Sequence, residues 1–297
     1  MLRFVNKQSS HKIGGIVFGG QPGMRRTVLV GSLFYPRHSI VEDRVAGRVR
    51  PGATEKLLSD LHAVSDETGV PAAVMVYAET PKAMENHLSN VIDHTELPLF
   101  IDSPSAKVRI AGAFKAKEMG VMDRIVYNTL NAGVTEEELS SLQESGIRAA
   151  VLLAFNPSDI QAKGKIYLLE NGGGILPEGL IDLAQKYGID KPLLDMAVMS
   201  SEQNAGTALR ALMIAKAKWG LPCGCAMHNA VESYAPLAKL TGEDRKLFRY
   251  VDVASAIMPI MAGADFVMYG PIESARRMFY ASAFADQLMA QAAAELY

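Results

Sequence analysis

Eight short apolar runs, separated by longer helical stretches, constrain this chain more than any other feature. The runs are TVLVGSLF (27–34), AAVMVYAE (72–79), LPLFIDS (97–103), DRIVYNTL (123–130), RAAVLLAF (148–155), KPLLDMAV (191–198), LPCGCAMHN (221–229) and ADFVMYG (264–270). They are rich in Val, Ile, Leu and aromatics, and several are unbroken, as in strands covered on both faces. The stretches between them have helical spacing and stop signals. Leu57, Leu58, Leu61 and Val64 mark a helix over 53–69 that ends in Gly69. Thr80 before Pro81 is a cap followed by proline at the first turn of a helix over 80–95. Helices over 105–120, 135–146, 179–188 and 204–220 also end in glycine. This alternation predicts an α/β fold: a (β/α)8 TIM barrel, one domain over 1–297. An open doubly wound sheet is the alternative, but no GxGxxG opens a helix after the first run. Before the barrel, HKIGGIVFGGQPG (11–23) has the alternation and glycine pairs of a hairpin. It predicts an N-terminal extension over 1–26 that plugs the barrel's lower end.

Composition excludes several classes of function. With 49% hydrophobic and 21% charged residues, the chain has an ordinary globular balance and no mark of disorder. The 30 Lys+Arg against 32 Asp+Glu argue against a general nucleic-acid binder, which shows a basic excess. No apolar window reaches membrane-spanning length, and the first residues lack the apolar core of a signal peptide. Two cysteines one residue apart do not make a disulfide scaffold. A cytoplasmic protein is the expectation.

In such a barrel the chemistry lies at the C-terminal ends of the strands. Four polar residues fall there: Asp102, Asn128, Asp195 and Asn229. Side chains two apart share a strand face. Phe100 therefore goes with Asp102, Val126 with Asn128, Leu193 with Asp195 and Met227 with Asn229, each polar residue ending an apolar column. Two Asp and two Asn, with no nucleophile among them, suit a neutral heterocycle with several N–H groups, such as a pterin ring. A carboxylate accepts from adjacent ring and amino N–H groups, while an amide both donates and accepts. Each residue also has a plainer reading. Asp102 can cap the next helix, Asn128 or Asn131 can serve a turn, and Asn229 can be a loop residue. Asp195 sits in the apolar PLLDMAV, where a charge needs a reason.

At these residues the chain resembles the H-subunit family of tetrahydromethanopterin S-methyltransferase and its stand-alone relatives that methylate tetrahydrofolate. The segments that carry the resemblance are GGIVFGGQPG, VLVGSLFY, ETP, FIDSPSAKVRIA, YNTLNAG, LLDMAV and GCAMHNA, in order along nearly the whole chain. More distantly it is similar to the barrels of methyltetrahydrofolate:corrinoid methyltransferases and dihydropteroate synthase. The resemblance implies a methyltransferase that passes a methyl group between a corrinoid protein and N5 of a reduced pterin. Tetrahydrofolate is the implied acceptor, and a methylated compound such as glycine betaine the upstream donor. Asp102, Asn128 and Asp195 would hold the ring, and Asn229 would sit at the reactive nitrogen. A homodimer is also implied. The cobalamin signature DxHxxG is absent, so the corrinoid is expected on a separate protein, with no metal on this chain. The alternative is a tetrahydromethanopterin-using component of a membrane methyltransferase complex. A condensing barrel like dihydropteroate synthase ranks lower, because Arg276 and Arg277 fall inside the helix after the last strand.

Other signals weigh less. The stretch 35–52 carries Arg37, His38, Arg44, Arg48 and Arg50. It reads as a loop meeting a glutamate tail or an acidic partner, or as a solvated one. The other long connection is 156–178, and NGGGILPEG (171–179) is either a mobile lid or a plain turn. Cys223, Cys225 and His228 invite a zinc reading but supply too few ligands. Small thiols filling a barrel layer is the preferred reading, with His228 orienting a loop.

Overall fold

The computed structural model describes residues 3–203 and 205–295, apart from the side chain of Glu243. Position 204, the expected start of a helix, and the first and last two residues of the 1–297 span lie outside the described residues. In chain order the elements begin with the hairpin β1 (Ser10–Ile13) and β2 (Ile16–Gly19), followed by β3 (Val28–Leu33). Next come β4 (Val41–Asp43), β5 (Arg48–Val49), α1 (Ala53–Thr68), β6 (Ala72–Tyr77), α2 (Pro81–Ile92), β7 (Leu99–Asp102) and α3 (Ala106–Glu118). They continue through β8 (Ile125–Leu130), α4 (Glu136–Ser145), β9 (Ala149–Leu153), α5 (Ala162–Asn171), α6 (Leu180–Lys186) and β10 (Lys191–Asp195). The last are α7 (Gly206–Trp219), β11 (Cys223–Cys225), α8 (His228–Glu232), α9 (Ala235–Ala238), α10 (Lys246–Met261), β12 (Phe266–Pro271) and α11 (Ala275–Ala294).

The strands β3, β6, β7, β8, β9, β10, β11 and β12 pair in parallel and close into a barrel, with β12 returning to β3. The (β/α)8 expectation holds, and its stop signals hold locally. The Thr80 hydroxyl accepts from the Ala83 N–H at 3.0 Å, and Thr135 caps α4 in the same way. Gly69, Gly146 and Gly220 end their helices in the left-handed conformation that favours glycine.

Alternate strand residues divide between two cores. Leu29, Val74, Ile101, Tyr127 and Leu194 pack outward against the helices. Val28, Val30, Ala73, Met75, Phe100, Val126, Val151, Leu193, Phe266 and Met268 fill the barrel. The hairpin closes the lower end: Ile13 and Phe18 are fully buried among the interior residues, and the Phe18 ring lies 6.2 Å from Phe100 and 6.4 Å from Phe266. Lys216 of α7 fixes it there, bridging the carbonyl of Gly20 at 2.9 Å and the carboxylate of Asp265 at 2.8 Å.

Four details differ from the sequence reading. The stretch 35–52 is not a bare loop but carries the small antiparallel pair β4–β5, in which Arg48 meets Asp43. The connection 156–178 contains α5. Its glycines form a packed turn rather than a lid: Asn156 donates to the Gly173 carbonyl at 3.2 Å, and Gly172 is buried. The seventh strand stops at Cys225, because the Asn229 and Ala230 N–H groups turn back to Ala226 and Met227 and start α8. Finally, Cys223 and Cys225 do not fill a barrel layer. They pack outward, between barrel and helices, while Gly224 faces inward. A Cβ on Gly224 would lie 2.2 Å from the Phe266 carbonyl oxygen, so only glycine fits between the two thiols.

Candidate active site

The upper end of the barrel opens into a cavity of about 310 Å³, and all four expected residues line it. Asp102 and Asn128 are cross-strand neighbours on β7 and β8, and the Asn128 Nδ2 donates to Asp102 Oδ1 at 3.0 Å. Asp195 ends β10. Each continues the interior column of Phe100, Val126 or Leu193, so the strand-face argument holds for these three.

It fails for Asn229. The odd-numbered residues of its strand, Cys223 and Cys225, face outward. Asn229 reaches the mouth only because the chain leaves the strand and turns into α8. There its Nδ2 donates to the Val198 carbonyl at 2.8 Å. That bond ties α8 to the loop after β10 and leaves Oδ1 and one N–H for a ligand.

The two carboxylates are the chemically unusual groups. Asp195 is 5% exposed, and the Ala197 N–H donates to its Oδ1 at 2.9 Å. Burial pushes its carboxyl up to about 6, against the opposing pull of that N–H and of Lys165. Burial likewise raises Asp102 to about 6, opposed by Arg109 and by the bond from Asn128. Buried acids normally gather several donors. These two have one protein donor each among the described residues, and both border an open cavity.

Two further basic groups belong to the site, Lys165 beside Asp195 and His228 in the lining of the mouth. Lys165 is 3% exposed, and its Nζ donates to the Ala197 carbonyl at 2.7 Å. Ala197 sits at φ +36° with its N–H on Asp195, so Lys165 clamps the turn that presents that carboxylate. Burial lowers the Lys165 pKa, while Asp195 opposes the shift. The signal was in α5: Ala162, Lys165, Ile166 and Leu169 form an i, i+3, i+4, i+7 buried stripe with a lysine in it.

His228 is the second cation. Its Nδ1 lies 2.7 Å from Asp252 Oδ1 and its Nε2 3.1 Å from Glu232 Oε1. Arg277 donates to the other Asp252 oxygen at 2.9 Å. Burial works against a charged imidazole here, but the bonds to Asp252 and Glu232 prevail and push it up to about 9. At neutral pH His228 is therefore an imidazolium with both N–H groups engaged. The ring lies against Gly270, where a Cβ would come within 2.4 Å of it.

A buried network supports Asp102 from behind. Arg109 donates to the Ser103 carbonyl at 2.5 Å and to Glu138 at 2.7 Å, and the Tyr127 hydroxyl also donates to Glu138.

The arginines of 35–52 do not join the site as a free basic patch. Arg44 pairs with Glu79 at 3.3 Å and Arg48 with Asp43 at 3.1 Å, while Arg50 donates to the Ser39 carbonyl. Among the described residues no group of three or more His, Cys, Asp or Glu is arranged to hold a metal ion.

With this geometry in place, comparison with known proteins is decisive on the family. Residues 6–297 match the family described as the tetrahydromethanopterin S-methyltransferase MtrH subunit. The chain belongs to the MtrH family. It is 42% identical over 296 residues to the H subunit of tetrahydromethanopterin S-methyltransferase from Methanothermobacter marburgensis, covering 100% of this chain and 96% of that one. The corresponding protein of Methanocaldococcus jannaschii is 38% identical over 305 residues, with 100% and 96% covered. The MtrH-family barrel is also similar in shape to dihydropteroate synthase of Xanthomonas albilineans in complex with 7,8-dihydropteroate. That match has a TM-score of 0.61 at 16% identity and covers 95% of this chain and 99% of that one. The chain is thus a methyltransferase of the MtrH family on the TIM barrel fold, and no described helix is long and apolar enough to cross a membrane.

Proposed function

We propose that the chain moves a methyl group from a methyl-Co(III) corrinoid, carried by a separate protein in the cytoplasm, to N5 of tetrahydrofolate. The observation that carries this reading is the pair of nearly buried carboxylates, Asp102 and Asp195, each with one protein donor and both facing one cavity. Ionised, they accept hydrogen bonds from the amide and amino N–H groups of a pterin edge, and Asn128 supplies an amide beside Asp102. The lack of a nucleophile among the four expected residues fits an in-line transfer, in which the protein's task is alignment.

The corrinoid supplies the methyl group and keeps the bonding electron pair, passing from methyl-Co(III) to Co(I). N5 gains the methyl group and loses its proton. Asn229 is suited to that nitrogen: with one N–H held by Val198, its Oδ1 can accept from N5–H. Above pH about 6 the carboxylates of the mouth are ionised and hold the ring, and the proton released from N5 leaves to solvent.

A second reading is favoured by the names of the methanogen relatives: the acceptor is tetrahydromethanopterin and the chain one component of a larger complex. Calorimetric titration of the purified chain with each reduced pterin separates the two. Saturable binding of tetrahydrofolate, followed by 5-methyltetrahydrofolate formation from methylcobalamin or a methylated corrinoid protein, supports the first. Binding of tetrahydromethanopterin alone supports the second, and no saturable binding of either overturns both. The homodimer reading draws support from α10 and α11, where Tyr250, Met258, Phe284 and Leu288 are exposed large apolar side chains. Gel filtration with light scattering tests it.

A further inference from the structure

Beside the mouth lies a second cavity, of about 760 Å³, formed by the segment between β11 and the first turn of α10. Arg245 and Arg249 line it, together with Leu237, Leu240, Phe248 and Glu232. The two arginines are four residues apart, so their side chains stand over one another on one helix face. Both are exposed, and no carboxylate pairs with either among the described residues. Arg44, Arg48, Arg109, Arg148, Arg276 and Arg277 are each held by an acid, and Arg25, Arg37 and Arg210, which show no such pair among the described residues, do not line this cavity.

The short helix α8 borders both cavities. His228 and Asn229 line the mouth, while Val231 and Glu232 line the second cavity. His228 Nε2 and Glu232 Oε1 lie 3.1 Å apart, so one ion pair links a residue of the mouth to a residue of the second cavity.

The mouth, at about 310 Å³, is at the low end of the roughly 300–1,000 Å³ typical of small-molecule sites. It suits a bicyclic ring and leaves the rest of a folate to lie elsewhere. Folate's remaining part is an aromatic amide followed by glutamate carboxylates. The second cavity offers apolar Leu237, Leu240 and Phe248 together with two forked guanidinium groups suited to carboxylates. Its one acid, Glu232, is engaged by the His228 imidazolium, so the net charge presented to a tail is positive.

We propose that this cavity binds the carboxylate-bearing tail of the reduced folate whose ring occupies the mouth, with Arg245 and Arg249 as the carboxylate partners. The proposal rests on the pterin reading above. The probes are 6-methyltetrahydropterin, which has a ring and no tail, tetrahydrofolate, and a tetrahydrofolate oligoglutamate, titrated into the wild-type chain and into Arg245→Ala/Arg249→Ala. In the wild type the tail-bearing compounds bind more tightly than the tail-less one, by about tenfold or more for one charged bidentate contact, and the advantage shrinks with salt. In the double variant that advantage disappears while tail-less affinity persists, which also shows that the variant is folded. Arg245→Lys/Arg249→Lys restores part of it. Equal tail advantage in wild type and double variant overturns the proposal, as does no advantage in the wild type. The same holds if the double variant leaves folate affinity intact and raises only the KM for methylated corrinoid protein, which would make the cavity a protein-docking site. Failure of every probe, the tail-less ring included, overturns the pterin reading along with this one.

Discussion

The two ends of the barrel each hold a carboxyl group that burial raises to about 6, and they use it in opposite ways. At the lower end, Asp265 receives two bonds from Lys216 Nζ, at 2.8 and 2.9 Å, and a third from the Cys223 N–H at 2.8 Å. The ion pair sits under a hairpin whose Ile13 and Phe18 exclude water. At the upper end, Asp195 has one backbone donor, and its nearest cation, Lys165, is turned onto a carbonyl instead. The lower acid is satisfied by protein, whereas the upper one has a single protein donor and borders an open cavity. A buried acid therefore marks a binding site only when its partners have been counted.

The largest expected effect separates the two ends by stability. Lys216→Met leaves Asp265 buried without its cation and removes the bond that holds the hairpin through the Gly20 carbonyl. Losing the Lys216 bond to the Gly20 carbonyl along with the ion pair should lower unfolding free energy by about 3–5 kcal/mol, the usual result of breaking a buried pair from one side. Urea unfolding of this variant against Asp195→Asn checks the contrast, because the second change removes an unsatisfied charge and should not destabilise. Equal losses would erase the distinction. Next, Asp102→Ala and Asp195→Ala should each weaken pterin binding by about 1.5–3 kcal/mol, the range for hydrogen bonds to a charged group. Titration calorimetry measures this, and wild-type affinity in both would show that the upper acids have another use.

How much of this was legible follows from which residues depend on local rules. Phe100 with Asp102, Val126 with Asn128 and Leu193 with Asp195 obey the period of two along a strand. The β-run pattern therefore places three of the four candidate residues at the barrel mouth, where the structure has them. Asn229 was assigned to the right cavity by the wrong argument: strand parity turns its column outward, and a helical turn after Cys225 reverses that. His228 depends on Asp252, 24 residues away on another helix, and no local pattern encodes that pairing. Lys165 was visible in principle as a cation in an apolar stripe, but such a lysine more often lies at the edge of one. The stretch 35–52 reads as a basic patch because the acidic partners of Arg44 and Arg48, Glu79 and Asp43, meet them only in the folded chain. Arg245 and Arg249 drew no notice in the sequence, since being unpaired is a property of the fold.

A smaller effect tests Asn229 against the ring-holding residues. In the proposed reaction its contact with N5 changes as the methyl group arrives, and only interactions stronger in the transition state accelerate a step. Asn229→Ala should slow single-turnover methyl transfer by about 10- to 100-fold, the low end for a group aimed at developing charge. Pterin affinity should fall less. The same variant also cuts the bond to Val198, so Asn229→Asp serves as the control that keeps an acceptor but no amide donor. Normal transfer with a large affinity loss in Asn229→Ala would place this residue among the ring holders.

The smallest effect is a pH dependence that again sets the upper acids against the lower one. Folded-state values near 6 lie above the ordinary carboxylate value of 3.8, so between about pH 4 and 6 the native chain holds protons that the unfolded chain releases. Stability from these groups is greatest at low pH, falls as pH rises through that window and levels off above it. Ligand binding runs the other way, because an ionised carboxylate is what accepts from pterin N–H groups. With both Asp102 and Asp195 required as anions, affinity should drop by about threefold from pH 7 to pH 6 and more steeply below. Asp102→Asn/Asp195→Asn should bind weakly with a flat profile, apart from the ligand's own titration, which that variant isolates. Asp265 lies at the closed end of the barrel, so its titration can appear in the stability profile but not in the binding profile. A binding profile equally flat in wild type and double variant would mean that neither upper acid titrates against the ligand, and the two ends of the barrel would no longer differ in what their buried acids do.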